Sequence, residues 1–516
     1  MLSIRWSGDI VCVVYSEKNK EKVVVVKKDA KLFARALKYL GLVFIVGIVL
    51  ASCASSEVRA ARRGDVSALR EFVEDGGDVN EVQRDGRTLL MVSAEGGFVP
   101  AVQYLLSVGA DPQIRDSRGR TALHFAAGQT NVAVADELLG SGAQVDVVDN
   151  DGRTPAMTAA QSGGLSMLRL LEDRGADLSR TDNSGRTLLH LALEGGRTDT
   201  TEYLLSSGAD PNRPDGSGRT PIFYAVDSGN SQTVRILLSA GADPNRTDRE
   251  GLTPMIRASA ADRTDIVRLL LESGADPDVA TSDDRTAFSV ALVRSAERAR
   301  GLNETAVVLR NAGARFNAGA SHIADAAFTA AGRANVDVLD LLLSSGLNAG
   351  IRNRNEQTLL LAGVEHAPVV RILTRYNVPI DARDRRGNTA LMNAASAGYD
   401  ESFRLLLTAG ADTSIVNSEG QTILMLAVIG NREDTVRRLL VADAATWTRD
   451  RGGNTVLHLG AASASPAIVR LLLTAGAPVN AVNDAGQRAI DRARENDNAD
   501  EIRNILLSGG SEPPAE

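Results

Sequence analysis

A leucine and a glycine recur at one fixed spacing in two runs along the chain, with the glycine four positions after the leucine in all repeats but one. The leucines are Leu105, Leu138, Leu171, Leu204, Leu237, Leu270, Leu406, Leu439 and Leu472. The glycines are Gly109, Gly142, Gly175, Gly208, Gly241, Gly274, Gly410 and Gly476. A glycine directly after an apolar helical stretch is a common left-handed helix end, because it has no Cβ to clash. The pattern predicts a helix that ends at each glycine.

Threonines keep the same frame and predict a second helix in every repeat. They are Thr88, Thr121, Thr154, Thr187, Thr220, Thr253, Thr286, Thr358, Thr389, Thr422 and Thr455, and Arg488 takes the next position. A threonine before a helix caps its free amides, and a proline directly after it costs no hydrogen bond. Five positions after each threonine the residue is small, which lets two helix backbones approach closely. These residues are Ser93, Ala126, Ala159, Ala192, Ala225, Ala258, Ala291, Gly363, Ala394, Ala427 and Gly460.

Aspartates stand five positions before the threonine in many repeats, where an aspartate can hydrogen-bond its own turn. They are Asp116, Asp149, Asp182, Asp215, Asp248, Asp384 and Asp450. Each unit is therefore predicted to contain a short helix, a turn, a second helix ending at glycine, and an extended hairpin that leads to the next threonine. One such unit cannot bury its own apolar face, so its neighbours must cover it.

The segments Thr121–His124, Thr187–His190 and Thr455–His458 carry most of a T-P-L-H-x-A motif. With a period of about 33 residues, they resemble the ankyrin repeat. The resemblance covers residues 57–510. It implies an all-α fold, an ankyrin-repeat solenoid of about 14 helix-turn-helix units with hairpin loops, caps included. It also implies that the histidine at the end of each segment is structural and links neighbouring hairpins by hydrogen bonds.

The regularity of the repeats divides the array into three parts. We predict a first ankyrin array at residues 57–315, irregular ankyrin repeats at 316–388, and a second array with a C-terminal cap at 389–510. The stretch from Thr286 to Thr358 is six positions longer than two repeats. Two interpretations are open. The irregularity is either drift in tolerant loops, or a change of curvature or a protruding loop near residues 298–304 that serves a partner.

An apolar run preceded by basic residues lies just before the repeats and is typical of a secretory signal. Its end, Leu50–Cys53, resembles the lipobox of bacterial lipoproteins, in which the signal is cut before the cysteine and the cysteine is acylated. We predict a signal peptide at residues 27–52, then a lipidated Cys53 and a short tether at 53–56. The alternative is an uncleaved membrane helix over residues 39–55, although the apolar run is shorter than the roughly 20 residues of a spanning helix.

The two ends of the chain are predicted to lie outside the folded body. Residues 1–26 look foreign to a signal, and we interpret them as a non-native or disordered extension, with the true start of translation downstream of Met1. Residues 511–516 are rich in proline and glutamate, a composition typical of a disordered tail.

The charge of the chain argues against nucleic-acid binding. Residues 1–53 have a net charge of +5 and the rest of the chain has a net charge of −13, whereas a nucleic-acid binder needs a basic surface to displace counterions. No cysteine follows Cys53, so the repeats can hold neither a disulfide nor a thiolate metal site. No catalytic set, phosphate loop or metal-ligand spacing stands out. We therefore expect no enzyme, no cofactor and no metal.

Arginines form a column one position before the threonines: Arg87, Arg120, Arg153, Arg186, Arg219 and Arg285. Later repeats carry amides there: Gln357, Asn388, Gln421, Asn454 and Gln487. By the resemblance, this hairpin position faces the concave binding surface, where an arginine could bind an acidic segment of a partner with both prongs of its guanidinium group. The alternative is a solvated arginine beside the aspartate column, which cancels its charge.

These features predict a non-enzymatic scaffold that binds protein partners on a concave face made of hairpin tips and first helices. We expect a monomeric rod, held at a membrane by its lipid or by the N-terminal apolar segment. The expected location is a bacterial cell envelope, on the periplasmic face of the outer membrane where two membranes are present. Two alternatives are a scaffold tethered by an uncleaved transmembrane helix and a structural spacer without a specific partner. The sequence does not name the partner.

Overall fold

A computed structural model describes residues 11–15, 22–26 and 56–511 of the chain. Between residues 56 and 511, the described chain forms 28 α-helices in 14 consecutive pairs. The chain divides into two compact units, one that ends at Asn183 and one that begins at Ser184. The expected all-α series of helix-turn-helix units is thus confirmed. The boundaries predicted between regular and irregular repeats stay predictions.

Four of these pairs lie in the first unit. They are α1 Ser56–Arg63, α2 Val66–Glu74, α3 Leu89–Gly96, α4 Val99–Ser107, α5 Ala122–Gly128, α6 Val132–Gly140, α7 Pro155–Ser162 and α8 Leu165–Asp173. Odd-numbered helices are the first of each pair, and even-numbered helices are the second.

Ten pairs lie in the second unit. They are α9 Leu188–Glu194, α10 Thr198–Ser206, α11 Pro221–Ser228, α12 Ser231–Ser239, α13 Pro254–Ala260, α14 Thr264–Glu272, α15 Ala287–Ala296, α16 Glu304–Asn311, α17 Ser321–Gly332, α18 Val336–Ser344, α19 Leu359–Ala362, α20 Ala367–Leu373, α21 Ala390–Ala397, α22 Asp400–Thr408, α23 Ile423–Ile429, α24 Glu433–Val441, α25 Val456–Ser463, α26 Pro466–Thr474, α27 Ala489–Arg492 and α28 Ala499–Ser508. A short 3-10 turn, Ala493–Glu495, separates the last two helices.

Two strands precede the repeats. Strand β1, Val11–Tyr15, pairs antiparallel with β2, Lys22–Val26. The prediction that residues 1–26 form an extension foreign to the native protein is not tested by this pairing. The predicted signal, the tether with Cys53, and residues 512–516 of the predicted tail lie outside the described residues.

The framing threonines are the residues before the first helices, as the sequence predicts. Thr88 and Thr154, for example, each have extended backbone, and their hydroxyls accept the amides of Met91 and Met157 at 3.3 Å. Such a bond satisfies an amide that has no partner within the helix, and losing one costs about 1 kcal/mol. In the repeats that have this bond, local chemistry therefore sets the start of the first helix.

Glycines with positive φ follow the second helices, again as predicted. Gly109 has φ 95° and Gly241 has φ 88°, so each reverses the chain in a conformation that side chains with a Cβ rarely adopt. Asp443 takes the same place after α24 with φ 54°. Asn377 likewise follows α20 with φ 51°, so residues with a Cβ are held in the left-handed region after both of these helices.

Small residues and leucines form the core between repeats. First helices pack on first helices and second helices on second helices, for instance α3 with α5 and α4 with α6. Leu105 and Leu138 are fully buried, and each such burial stabilises by about 1.5–3 kcal/mol. At the small position, a Cβ added to Gly460 would lie 3.0 Å from Cδ1 of Leu472. In this repeat even an alanine would require the Leu472 side chain to shift slightly.

The irregular repeats differ from the others at two points. The extra residues after α15 end at Asn303, whose buried side-chain amide donates to Asp262 at 2.9 Å. The buried side-chain amide of Asn335 donates to the carbonyls of Ser295 and Gly301 at 2.8 and 3.0 Å. The end of this loop is therefore packed against the repeats, whereas residues 297–300 are exposed.

The second point is the helix α19, which is a single turn, Leu359–Ala362. The spacing from Thr358 to Thr389 is two positions shorter than the period, and the first helix of that repeat is correspondingly short.

Among the residues that the structure describes, no helix has both the length and the apolar character needed to cross a membrane.

Candidate interaction surface along the hairpins

In the hairpins that carry the predicted aspartate, such as the one before α5, an aspartate and a glycine close the turn. The amide of Asp116 donates to the carbonyl of Arg120 at 2.8 Å, and the Asp116 carboxylate accepts the amides of Arg118 and Arg120 at 2.9 and 2.8 Å. Gly119, at the turn, has φ 78°, and a Cβ there would lie 2.4 Å from the side chain of Asn150 in the next hairpin. The predicted role of the aspartate column is thus visible, and glycine is required because adjacent hairpins touch.

Backbone hydrogen bonds join many neighbouring hairpins, in the first unit and in two separate runs of the second unit. In the first unit they run from Ser117 to Asp85, from Asn150 to Arg118 and from Asn183 to Asp151, at 2.9–3.1 Å. In the second unit they run from Gly216 to Ser184, Arg249 to Ser217, Ser418 to Arg386, Arg451 to Glu419 and Asp484 to Gly452, at 2.7–3.1 Å. Exposed hairpin side chains are therefore presented from a connected backbone rather than from independent loops.

The motif histidines tie each repeat to the next. His124 is buried, its Nδ1 accepts the Thr121 amide at 3.1 Å, and its Nε2 lies 3.0 Å from the carbonyl of Arg153. Because Nδ1 accepts, Nε2 carries the proton and donates. Burial lowers the pKa of His124, which keeps the ring neutral in this role. The Nε2 atoms of His190 and His458 lie 3.2 and 2.9 Å from the carbonyls of Arg219 and Gln487.

The first two arginines of the column share one aromatic ring. Arg87 pairs with Glu95 at 2.8 Å and Arg120 with Asp116 at 2.8 Å, while both guanidinium groups lie within 4.5 Å of the centroid of Phe125. Burial alone would raise the pKa of Asp116, but hydrogen bonds from Arg120 outweigh it and hold that pKa below its usual value. Both charges are therefore compensated by carboxylates near them.

The next two arginines reach onto the first helix that follows them. Arg153 donates to the side chain of Gln161 at 3.2 Å, with its Nε 3.9 Å from Asp182. Arg186 pairs with Glu194 at 3.1 Å. The acceptor on the helix stands eight positions after the arginine, as in the pair of Arg87 with Glu95. This spacing recurs because the hairpin and the helix keep the same geometry in each repeat.

The last two arginines differ from each other. Arg219 pairs with Asp227 and lies 4.5 Å from the ring centroid of Tyr224. Arg285 pairs with Asp283 at 2.7 Å but is 53% exposed, whereas the other five column arginines are at most 27% exposed. A partner-binding role for the column stays a prediction. Any partner carboxylate would compete with an acid or amide already in contact with each arginine.

Amides replace this column in the second array and form neutral networks. The side-chain amide of Asn417 donates to Asn388 in the preceding hairpin and to Gln421 in its own, both at 3.0 Å. The same arrangement recurs at Asn454, Asn483 and Gln487. Asn417 and Asn483 are buried. These amides therefore couple adjacent hairpins without charge.

A set of arginines that we did not single out from the sequence lies on two adjacent hairpins, residues 352–357 and 383–388. Arg352 donates to the carbonyl of Arg383 at 2.9 Å, and Arg385 donates to the carbonyl of Arg354 at 2.6 Å. With Arg386, all five are exposed. The signal in the sequence is R-N-R in one hairpin, followed by R-D-R-R in the next. We considered only the position before each threonine, and these arginines stand elsewhere in their hairpins.

A metal site would need several His, Cys, Asp or Glu side chains close together. Over the described part of the chain, no group of three or more His, Cys, Asp or Glu side chains is placed to hold a metal ion.

A family model described as "Ankyrin repeats (3 copies)" matches six overlapping stretches of the chain, at residues 58–149, 126–215, 213–281, 327–417, 395–483 and 424–513. The chain belongs to the ankyrin-repeat family. Ankyrin repeats are generally protein-protein interaction modules. The hairpins and helix pairs described above are thus those of an ankyrin array.

Among curated proteins, the "Ankyrin repeat and KH domain-containing protein mask-1" of Caenorhabditis elegans is 40% identical over 62 residues, which are 12% of this chain and 2% of that protein. Among solved structures, the ankyrin repeat domain of Bcl-3, titled "a unique member of the IkappaB protein family", is 30% identical, covers 44% of this chain and all of its own, and has a TM-score of 0.38. The human ASB11 ankyrin repeat domain is 24% identical over 43% of this chain and 99% of its own, with a TM-score of 0.40.

Proposed function

We propose that this ankyrin array is an exported, lipid-anchored scaffold that binds protein partners with its hairpin side. The observation that carries the proposal is the segment Leu50–Cys53, preceded by a basic and then an apolar stretch and followed almost at once by the repeats. Helix α1 begins at Ser56, so only Ala54 and Ser55 lie between the cysteine and the first repeat. An acyl group on Cys53 would hold the array at the membrane surface with almost no linker.

The binding side of the proposal is supported by the hairpins. Where backbone hydrogen bonds join neighbouring hairpins, as from Ser117 to Asp85 and from Ser418 to Arg386, the exposed side chains at the tips keep fixed spacings from repeat to repeat. A preorganised surface loses less conformational entropy on binding than a flexible loop does. The periplasmic face of an outer membrane remains the proposed location, by analogy with lipoproteins, because Ala54 rather than an aspartate follows the cysteine.

Metabolic labelling of the full chain with a fatty-acid analogue, in a bacterium that processes lipoproteins, tests the anchor. We expect label on the wild type and none on Cys53→Ser. Cys12→Ser is the matched control, because Cys12 is the only other cysteine, and it should label like the wild type. If the wild type carries no label but still resists extraction from the membrane, the result would favour an uncleaved membrane helix over a lipid anchor.

Photocrosslinking tests the scaffold role separately from the anchor. A crosslinker at exposed hairpin position Arg118 or Arg386 should capture discrete proteins, whereas one at exposed Arg169 on α8 serves as the control away from the hairpins. If hairpin and control positions give the same diffuse products, the array is a spacer without a specific partner.

A further inference from the structure

Five exposed arginines concentrate positive charge in an otherwise acidic body. The basic patch is Arg352, Arg354, Arg383, Arg385 and Arg386 on the hairpins 352–357 and 383–388. The same two hairpins contain two carboxylates, Glu356 and Asp384, so their formal charge is +3, whereas the chain after residue 53 has a net charge of −13. The patch therefore has the opposite sign to the body that carries it.

The two reciprocal bonds across the hairpins hold the patch together. Arg352 and Arg385 each donate one guanidinium N–H to a carbonyl of the other hairpin. These bonds fix position but leave the positive charge uncancelled, because a carbonyl is neutral. Two of the five side chains are thus anchored across the hairpins in spite of the repulsion between like charges.

Acids near the patch do not neutralise it as they do the arginine column. No carboxylate oxygen in the described chain lies within 4.0 Å of these five guanidinium groups. Asp384 uses its Oδ1 atom for the amides of Arg386 and Asn388, at 2.8 and 2.9 Å. Asp412 has its pKa lowered first by the Ser414 hydroxyl and only to a lesser extent by Arg383. The guanidinium groups therefore keep free N–H donors that face solvent.

We propose that the basic patch binds a short acidic segment of a partner protein, an inference that rests on the scaffold function proposed above. A guanidinium group can donate two parallel hydrogen bonds to one carboxylate. The carbonyls of Arg383 and Arg354 each accept only one bond from Arg352 and Arg385. A short segment fits better than a nucleic acid, because a long polyanion would extend beyond two hairpins onto a body of its own sign. The irregular repeats thus carry the recognition surface.

Binding of a fluorescein-labelled peptide of alternating glutamate and serine to the full chain, in non-ionic detergent, tests the proposal by fluorescence anisotropy. The variant Arg354→Gln/Arg383→Gln/Arg386→Gln removes three charges. It keeps the hydrogen bonds that Arg352 and Arg385 donate to the backbone of the other hairpin. We expect about eightfold weaker binding, since an exposed charge pair contributes a factor of about two. The wild-type affinity should also fall at about 1 M salt, where charges are screened within about 3 Å.

The matched control is Arg213→Gln/Arg235→Gln/Arg333→Gln, which removes three exposed arginines outside the patch. It should bind like the wild type, and a peptide with glutamine in place of glutamate should not bind. Equal losses in both triple variants, or tighter binding of oligo-dT than of the peptide, would overturn the proposal. The peptide assay needs neither lipid nor native partner, so a failed labelling or crosslinking experiment would count against the scaffold and anchor alone.

Discussion

Two kinds of hairpin occupy the same place in the repeat and connect it differently. In the arginine hairpins the guanidinium groups mostly contact their own repeat, as Arg120 does with Asp116 and Arg186 with Glu194. In the amide hairpins Asn417 donates to the preceding hairpin through Asn388 as well as to its own. The position before the threonine therefore serves local charge compensation where it is an arginine. Where it is an amide, as at Asn388 and Gln421, it accepts from Asn417, which replaces the turn aspartate and so couples the two hairpins.

This difference predicts different physical responses. Ion pairs that are partly exposed weaken with salt and depend on the ionisation of the acid. An amide network responds to neither. In a repeat array the stability is approximately a sum of repeat terms and interface terms, so local probes are needed to separate the two kinds of hairpin. Hydrogen exchange followed by mass spectrometry gives that resolution.

The largest effect is expected at Asn417. Asn417→Ala removes the acceptor for the amides of Glu419 and Gln421, both at 2.9 Å, and both donor bonds of the side chain. Leaving such buried groups without partners should destabilise the hairpin and its neighbours by about 2–3 kcal/mol, equally at low and high salt. Hydrogen exchange should rise in the hairpins on both sides. Exposed Ser418→Ala is the control, and an effect confined to one hairpin would contradict coupling between repeats.

A smaller effect is expected at Asp116. Asp116→Asn keeps the turn bonds of Oδ1 and removes the ion pair with Arg120, for a loss of about 1 kcal/mol at neutral pH and low salt. The folded pKa of Asp116 is below its unfolded value, so its contribution is present above the unfolded pKa, about 3.9, and is lost as pH falls through the folded pKa. Urea unfolding should show the difference disappearing in acid and shrinking with salt. A loss that persists in acid would argue against the ion pair.

Local chemistry explains why much of the fold could be predicted from the sequence. A threonine cap such as Thr88, a left-handed glycine such as Gly109 and a turn aspartate such as Asp116 each act within a few residues, and each was found where the frame placed it. The bridge from His124 to the next repeat followed from the resemblance. These features depend on short-range geometry that every repeat shares.

The candidate surface was harder to predict, because the state of a charge depends on what else can reach it. Arg186 finds Glu194 eight positions away only because the hairpin folds back onto α9. In the basic patch the turn carboxylate of Asp384 has no such pair, because Asn388 stands at the position that Arg120 holds beside Asp116. Sequence spacing shows which charges are present but not which oxygens are already occupied.

In the second array, Asp443 replaces the glycine that usually follows a second helix, at the end of α24. Asp443→Gly should stabilise that repeat by about 0.5–1 kcal/mol, since Asp443 has φ 54° and glycine adopts such a conformation without a clash. Its side chain is exposed, so little contact is lost. Thermal unfolding and local exchange measure the gain. Asp443→Ala retains the Cβ and should give no gain, and an equal gain in both variants would show that charge rather than backbone conformation is the cause.

The smallest effect is expected at Trp447, which is 72% exposed where the corresponding residue of other hairpins is often asparagine. Asn212, at that position, donates to the carbonyl of Gly241 at 2.8 Å and accepts the amide of Asp243 at 2.7 Å. The residue that corresponds to Asp243 here is Pro478, which has no amide hydrogen, so an asparagine could make only the bond to a carbonyl.

Trp447→Asn alone should therefore change stability by no more than about 0.5 kcal/mol, whereas Trp447→Asn combined with Pro478→Asp should add about 1 kcal/mol by completing both bonds. Exchange of the α25–α26 repeat reports the gain, and Pro478→Asp alone is the control. If Trp447→Asn and the double variant are equally stable, the two bonds seen at Asn212 do not form in this hairpin. The interfaces between arginine hairpins and between amide hairpins would then differ at more than the position before the threonine.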